Sequence, residues 1–441
     1  MSLSGWGGYP KTKAKAIFFR DTGELTRQVS EASSFIARGM GRSYGDSSLN
    51  NSCVLSTNRY NRFLEFDSEA GIVKCESGVT LAEVIDISIN LGWFLKVTPG
   101  TKFVSIGGAI ASDVHGKNHH LDGSFSSCVN SFSLLVPSGE VVNCSRSENA
   151  DIFFASFGGM GLTGVILEVE FQLIQVESAY ISQTSIKAAN LKEAMAAFEN
   201  AKETTYSVAW IDCLANGDAL GRSLVMAGEH ASINQLSTNI KATPLIVKPK
   251  PTLSVPFYLP SWLLNKLTVK AFNQLYYYKG KAGEGQLVDY DSFFYPLDSI
   301  HHWNRIYGRK GFVQYQCVLP LANSYEGLKS ILELISASGQ GSFLAVLKLF
   351  GKQEGYLSFP MEGYTLALDF PLNSRLFSLL EKLDSVVSQY DGRIYLTKDA
   401  RMNSRFFAKS YEKQLNRFLD VKKKLDPDNK LRSLQSERLG L

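Results

Sequence analysis

The sequence lacks a CxxC pair, a regular cysteine ladder and any apolar run near the roughly 18 residues a membrane-spanning helix needs. Its six cysteines, Cys53, Cys75, Cys128, Cys144, Cys213 and Cys317, are scattered along the chain. That spacing fits reduced structural thiols and excludes a small disulfide scaffold. The opening residues MSLSGWGGYPKTKAK contain no apolar core of a cleaved signal, so a cytoplasmic protein is expected. A surplus of one charge is also missing. The 46 basic and 42 acidic residues leave a net charge of +4, too little for the basic footprint of a nucleic-acid binder, and no nucleic-acid partner is expected. No GxxxxGK[ST] loop occurs, which leaves nucleotide hydrolysis without support.

What is present is ordinary globular usage, with 44% apolar and 20% charged residues in 441. A chain of that length exceeds one core, and two domains are expected. From Ser34 to about Leu173, short β-type runs such as NSCVLST, GIVKCESG and GVILEVEFQL are broken by glycine. Between them LAEVIDISINLG spaces Leu81, Val84, Ile85 and Ile89 as a helix that stops at Gly92. Beyond Gln172, helical LKEAMAAFENAKE and SYEGLKSILELISASG alternate with strand-like VAWIDCLA, FVQYQCVLP, FLAVLKLFG and YTLALDFP. That alternation predicts a second α+β domain. Within it the stretch from Lys248 to Lys281, rich in proline, lysine and aromatics, reads as a long insertion or mobile loop, an ordinary lid or a basic aromatic contact with a membrane surface. The tail reads as a strand end, a helix and a closing basic segment.

Three glycine clusters carry the chemistry. The first, Arg38-Gly39-Met40-Gly41-Arg42-Ser43-Tyr44-Gly45-Asp46, follows a strand-like run, and its exposed N–H groups suit a diphosphate. The second runs through Pro99, Gly100 and Thr101 to Ser105, Ile106, Gly107, Gly108, Ser112, Asp113, Val114, His115 and Gly116. Its small residues admit a flat or charged ligand close to the backbone. In the third, Gly159, Gly161 and Gly164 spell GxGxxG, but Val165, Ile166 and EVEFQL follow, where a dinucleotide fold needs a helix. A nicotinamide site is therefore rejected. His115, His119 and His120 invite a metal, yet Gly116 opposes a helix there and the glutamate of HExxH is absent. No metal site is expected.

In their order, these segments resemble the FAD-binding domain of the vanillyl-alcohol oxidase superfamily. SGWG at Ser4 to Gly7, HGKNHH at His115 to His120, AVLKLFG at Ala345 to Gly351, and YLTKDARM at Tyr395 to Met402 narrow the likeness to the decaprenylphosphoryl-β-D-ribose oxidase family, across nearly the whole chain. The resemblance implies an α+β flavoprotein of two domains. An FAD domain of two α+β subdomains covers 1–178. A substrate domain with an antiparallel sheet covers 179–392, its mobile insertion lies near 248–290, and a segment over 393–441 returns to the FAD domain. It implies FAD held by the three clusters, with Gly161, Gly164, Ile166 and Tyr395 among the contacts. Arginine at Arg42, where relatives attach FAD through histidine, implies a dissociable cofactor.

The same likeness implies oxidation of the ribose C2 hydroxyl of a polyprenylphosphoryl pentose, the first step of epimerisation to the arabinose form for cell-wall polysaccharide. An NAD-dependent short-chain reductase would complete that epimerisation, and a quinone is a candidate electron acceptor. Location at the inner face of the membrane follows from such a substrate. Catalytic roles fall on His115, expected to take the hydroxyl proton with a pKa near neutrality, and on Lys398. Substrate contacts are expected from Tyr44, Lys117, Gln314, Gln316, Lys348 and Lys398, since Gln314 and Gln316 alternate to one side of a strand. Ala367 stands where some relatives carry cysteine, which predicts resistance to thiol-directed inhibitors. The alternatives are a soluble alditol or aldonolactone oxidase, and a flavin-binding protein without catalysis.

Overall fold

The computed structural model describes residues 1–248 and 250–441. Its architecture is α+β, and among the described residues two antiparallel sheets dominate. A small parallel sheet comes first, with Cys53–Ser56 flanked by Lys15–Phe18 and Phe35–Arg38. Next stands a six-stranded antiparallel sheet. Its long strand Val165–Gln175 pairs with Val129–Leu135, Ile72–Glu76 and Trp93–Leu95. That strand alternates buried and half-buried residues, so one face packs on a core built from Val73, Phe94, Phe132 and Phe171. The strand follows Gly164 directly, so the GxGxxG turn opens a strand and no helix.

An eight-stranded antiparallel sheet follows, in the order Gly283–Asp289, Tyr180–Ala188, Ser223–His230, Tyr206–Ile211, Ala345–Phe350, Gly363–Pro371, Phe312–Pro320 and Arg393–Ile394. Helices Leu191–Asn200, Ser324–Ser338 and Leu376–Gln389 cover one face through Phe198, Ile331, Leu332 and Leu383. Its other face is left to meet the glycine clusters. The chain then returns to the first sheet, where Phe35 N–H donates to Lys430 O at 2.9 Å and Arg432 N–H to Phe35 O at 3.0 Å.

Local signals explain the helices. Leu81–Ser88 starts on a reciprocal capping box between Thr80 and Glu83 and runs on into a 3-10 turn, Ile89–Leu91, that stops at Gly92 with φ 79°. Ser324–Ser338 stops at left-handed Gly339. Two expectations need correction. The 248–281 stretch contains a full helix, Lys266–Lys279, capped by the Asn265 side chain on the Leu267 and Thr268 N–H groups. It buries only Val269, Asn273 and Tyr277, and at about 1.5–3 kcal/mol per fully buried apolar side chain its hold on the sheet is modest. The closing basic segment also ends in a short helix, Leu434–Leu439, started by a Ser433 capping box.

Candidate active site

Between the glycine clusters and the open face of the eight-stranded sheet lies a cavity of about 700 Å³. One wall is largely backbone. It comprises Gly39, Met40, Gly41, Arg42, Ser43 and Tyr44 from the first cluster, and Pro99, Gly100, Thr101, Ser105, Gly107, Gly108, Ser112, Val114 and His115 from the second. Gly161, Gly164 and Ile166 come from the third, and Tyr395 from the C-terminal part of the chain. Close packing dictates some of these types: a Cβ on Gly107 would lie 2.8 Å from the Ser77 Cβ. Tyr395 Oη donates to Ser112 O at 2.7 Å, and Tyr44 N–H to Thr397 O at 3.0 Å, so the C-terminal turn is sewn to both segments.

Six expected cofactor contacts lie behind this wall. The Arg38 guanidinium turns to Ser4 O at 2.7 Å and Ser48 Oγ at 3.1 Å, because strand alternation sends it away from the cavity. Gly45 sits so tightly on the Asp399 carbonyl that a side chain has no room. Asp46 pairs with Arg438 at 2.9 Å, and the same guanidinium nitrogen holds Asp399 at 2.9 Å. Ile106 is core, and Gly116 packs on the Thr98 backbone. Asp113, at φ 40°, accepts from Ser126 N–H and Gln353 Nε2, each at 3.2 Å, and from Ser358 Oγ. Burial pushes its pKa up to about 6 against the pull of hydrogen bonds from Ser124, Ser358 and Ser126. These residues brace the wall and do not form its surface.

The opposite wall is made of side chains. Gln314, Gln316, Val346, Lys348, Thr365, Ala367 and Asp369 project from neighbouring strands whose registers pair Gln316 with Ala367 and Gln314 with Asp369. Lys398 arrives from the turn after Tyr395, its Nζ 4.0 Å from the Tyr44 ring centroid. Asp369 is buried and accepts from Gln314 Nε2 at 2.6 Å and Tyr307 Oη at 3.4 Å. Burial raises its pKa to about 7, opposed by Gln314 and Lys398. Burial pulls the Lys398 ammonium down to about 7, with Asp369 resisting, and Lys348 down to about 8. Among the described residues neither of these lysines makes a hydrogen bond or ion pair through Nζ. Lys117 also borders the cavity, but its Nζ donates to the Phe293 carbonyl and lies 4.1 Å from that ring's centroid.

His115 is enclosed by Phe350, Phe359 and Tyr395, with ring centroids 4.7, 5.8 and 5.1 Å away. Thr365 Oγ gives its hydrogen to Cys317 O at 2.8 Å, so it accepts from Gln316 Nε2 at 3.3 Å. The other N–H of that amide points at His115 Nε2, 3.0 Å away. Nε2 is thus an acceptor and the imidazole proton resides on Nδ1, an assignment made from the network. Burial, then Lys348, His119 and Lys398, hold the ring's pKa well below its usual value. Against the expectation of a base near neutrality, burial favours the neutral ring, its lone pair is engaged, and its Nδ1 is a buried donor without a partner among the described residues. His119 is tied structurally, with Nε2 3.0 Å from Gln353 Oε1 and Nδ1 accepting from Gly351 N–H at 3.2 Å.

The wall fits FAD. It offers close backbone approach at Gly107, with buried Ser77 Oγ and His115 Nδ1 beside it that have no partner among the described residues, and it faces lysines of the opposite wall whose protonated forms favour an electron-rich ring. Several lining residues escaped sequence reading. Trp6, whose ring lies 4.1 Å from the Arg42 Cζ, was visible only as part of SGWG. Asp298 and Trp303 come from a segment without a motif. Asp369 could have been found as the lone acid in an apolar strand, in phase with Thr365 and Ala367.

Comparison with known proteins agrees with this geometry. A family model described as an FAD binding domain matches residues 15–145. The decaprenylphosphoryl-β-D-ribose oxidase of Mycolicibacterium smegmatis is 35% identical over 449 residues, covering 100% of this chain and 97% of the relative. An uncharacterized Streptomyces coelicolor protein is 32% identical over 82% of this chain and all of its own length. The L-gulonolactone oxidase of Scyliorhinus torazame is 26% identical over 33% of each chain. Fold, wall and matches define an FAD-dependent oxidoreductase acting on a hydroxyl group. Within that class, the chain belongs to the decaprenylphosphoryl-β-D-ribose oxidase family.

Proposed function

We propose that this protein oxidises the ribose C2 hydroxyl of a polyprenylphosphoryl-β-D-ribose to the 2-keto form, as the first step of epimerisation to arabinose for cell-wall polysaccharide. The observation that carries this reading is the cavity's mixed lining of cationic, amide and large apolar side chains. Its polar lining includes Lys348 and Lys398 with Gln314 and Gln316, and its apolar lining includes Trp210, Phe272, Leu297, Ile306 and Phe343. An anionic sugar attached to an apolar chain matches that pairing, whereas a free alditol leaves the apolar part unused. We assign the nucleotide-binding half to 1–178, the substrate half to 179–392, and the returning segment to 393–441.

FAD, when bound, supplies a two-electron acceptor for the hydride on C2. Lys398, balanced near neutrality, takes the hydroxyl proton as a free amine and afterwards its cation stabilises negative charge in the site. His115 offers its Nδ1 hydrogen to cofactor or sugar, and Gln316 fixes that tautomer. Lys348 binds the phosphate, and Gln314 and Gln316 bind ribose hydroxyls. The cofactor is dissociable, because Arg42 stacks on Trp6 where a covalent link would need an imidazole. A quinone accepts the electrons, a short-chain NAD-dependent reductase completes the epimerisation, and the protein works at the cytoplasmic face of the membrane. No helix of the described residues is long and apolar enough to cross that membrane.

The test is anaerobic. Adding a short-chain prenylphosphoryl ribose to the yellow protein is expected to bleach the flavin absorbance and yield a 2-keto sugar. Bleaching by free alditols with none by the lipid-linked ribose would replace this reading with a free-sugar oxidase. A colour that no sugar discharges would leave a flavin-binding protein without this catalysis.

A further inference from the structure

From Ala231 to Gly283 the chain holds seven lysines and no aspartate or glutamate. The same stretch contributes a cluster of the molecule's most exposed large apolar side chains, with Trp262 at 73%, Leu267 at 77%, Leu275 at 61% and Tyr278 at 64%. Helix Lys266–Lys279 explains the geometry. Its buried side chains, Val269, Asn273 and Tyr277, recur every four residues and form one narrow stripe. At 3.6 residues per turn, Leu267, Leu275 and Tyr278 fall on the opposite side. A helix seated on a protein normally presents polar residues outward; this one presents leucine and tyrosine outward while its inward stripe includes the hydrogen-bonded Asn273. Phe272 and Tyr276, on the flank between those sides, line the cavity.

We infer that the outward side of this helix, together with Trp262, docks on an anionic lipid bilayer. Exposed leucines with tryptophan and tyrosine suit the boundary between headgroups and acyl chains, and a lysine-only stretch complements negative headgroups. Because Phe272 and Tyr276 belong to the same helix, docking sets the cavity's apolar part against the bilayer and lets a lipid-linked sugar enter without its chain crossing water. The delivery role rests on the proposed lipid-linked substrate; the docking itself does not.

Co-sedimentation of the full-length holoenzyme with phosphatidylglycerol–phosphatidylcholine vesicles, compared with pure phosphatidylcholine, tests it. The anionic vesicles are expected to retain the protein, salt to weaken retention, and Leu267→Gln/Leu275→Gln to lower partitioning roughly tenfold or more. The double variant should keep its flavin absorbance and its turnover of a short-chain soluble substrate, since neither leucine lines the cavity. A second variant, Lys270→Gln/Lys279→Gln, on the two flanks of the outward side, should weaken only the anionic component. Wild type left in the supernatant, or a folded double variant that sediments like wild type, overturns the inference. So does a wild-type dimer that the double variant converts to monomer without any vesicle binding, which would assign the surface to a second copy of the chain. Vesicle binding without oxidation of any prenylphosphoryl ribose would support docking while the substrate reading fails. Turnover of the short-chain compound without vesicle binding would do the reverse.

Discussion

The two walls of the cavity are built by opposite means. The wall from the three glycine clusters presents backbone and small side chains, so its shape is set by what is missing at Gly39, Gly107 and Gly108. The facing wall presents functional groups from strands, so its chemistry is set by register: Gln316 opposite Ala367, Gln314 opposite Asp369. A wall of the first kind accepts a large cofactor and has no room for a side chain at positions such as Gly39 and Gly107. The second kind can be edited one side chain at a time, which suits substrate choice and proton handling.

The strongest break of that comparison is Gly45→Ala, at the junction of the walls. Its Cβ would collide with the Asp399 backbone carbonyl, next to Lys398, and overpacking costs roughly 1–3 kcal/mol or more. The expected outcome is a fall in melting temperature with loss of FAD, read by absorbance of the purified protein. Lys398→Met should instead keep FAD and lower kcat/KM by roughly 10²–10⁴-fold, the usual contribution of a proton-transfer group. Normal turnover in that variant would move the proton acceptor elsewhere.

Acidity sharpens the contrast next. A lysine base works only when unprotonated, so with its pKa near about 7 the wild-type kcat/KM should rise as pH increases through neutrality and level off above it. Were His115 the base, its depressed pKa would leave a flat profile from mildly acidic pH upward. Asp369→Asn removes the anion that favours the Lys398 ammonium, so the rising limb should shift to lower pH while flavin content stays constant. An unmoved limb would show that the two groups do not communicate. The smallest expected effect on turnover is from Ala367→Cys, which adds a thiol on the cavity surface. It should leave the uninhibited rate within a few-fold and make the enzyme sensitive to thiol-directed compounds that spare the wild type.

The backbone wall was the more legible in sequence, because glycine order and spacing survive in a linear text. Strand Phe312–Pro320, strand Gly363–Pro371 and helix Leu81–Ser88 were visible too, through their periodicity and end signals. Side-chain direction was not. Arg38 and Asp46 sit within the first cluster yet point behind it, to Ser4 and Arg438, and only the folded register decides that. The His115 tautomer depended on Thr365, 250 positions later, whose hydroxyl orients Gln316. Helix Lys266–Lys279 was hidden because the prolines before it blurred a local signal, although the Asn265 cap was present.

The central claim is hydride loss from C2 of a lipid-linked ribose. It is tested most directly by anaerobic stopped-flow measurement of flavin reduction with short-chain prenylphosphoryl ribose deuterated at C2, and with the same compound deuterated at C3. Slower reduction with the C2-deuterated compound and an unchanged rate with the C3-deuterated one is the predicted result. A primary isotope effect at C3, or none at either carbon when substrate binding is saturated and the chemical step limits the bleaching, would contradict it.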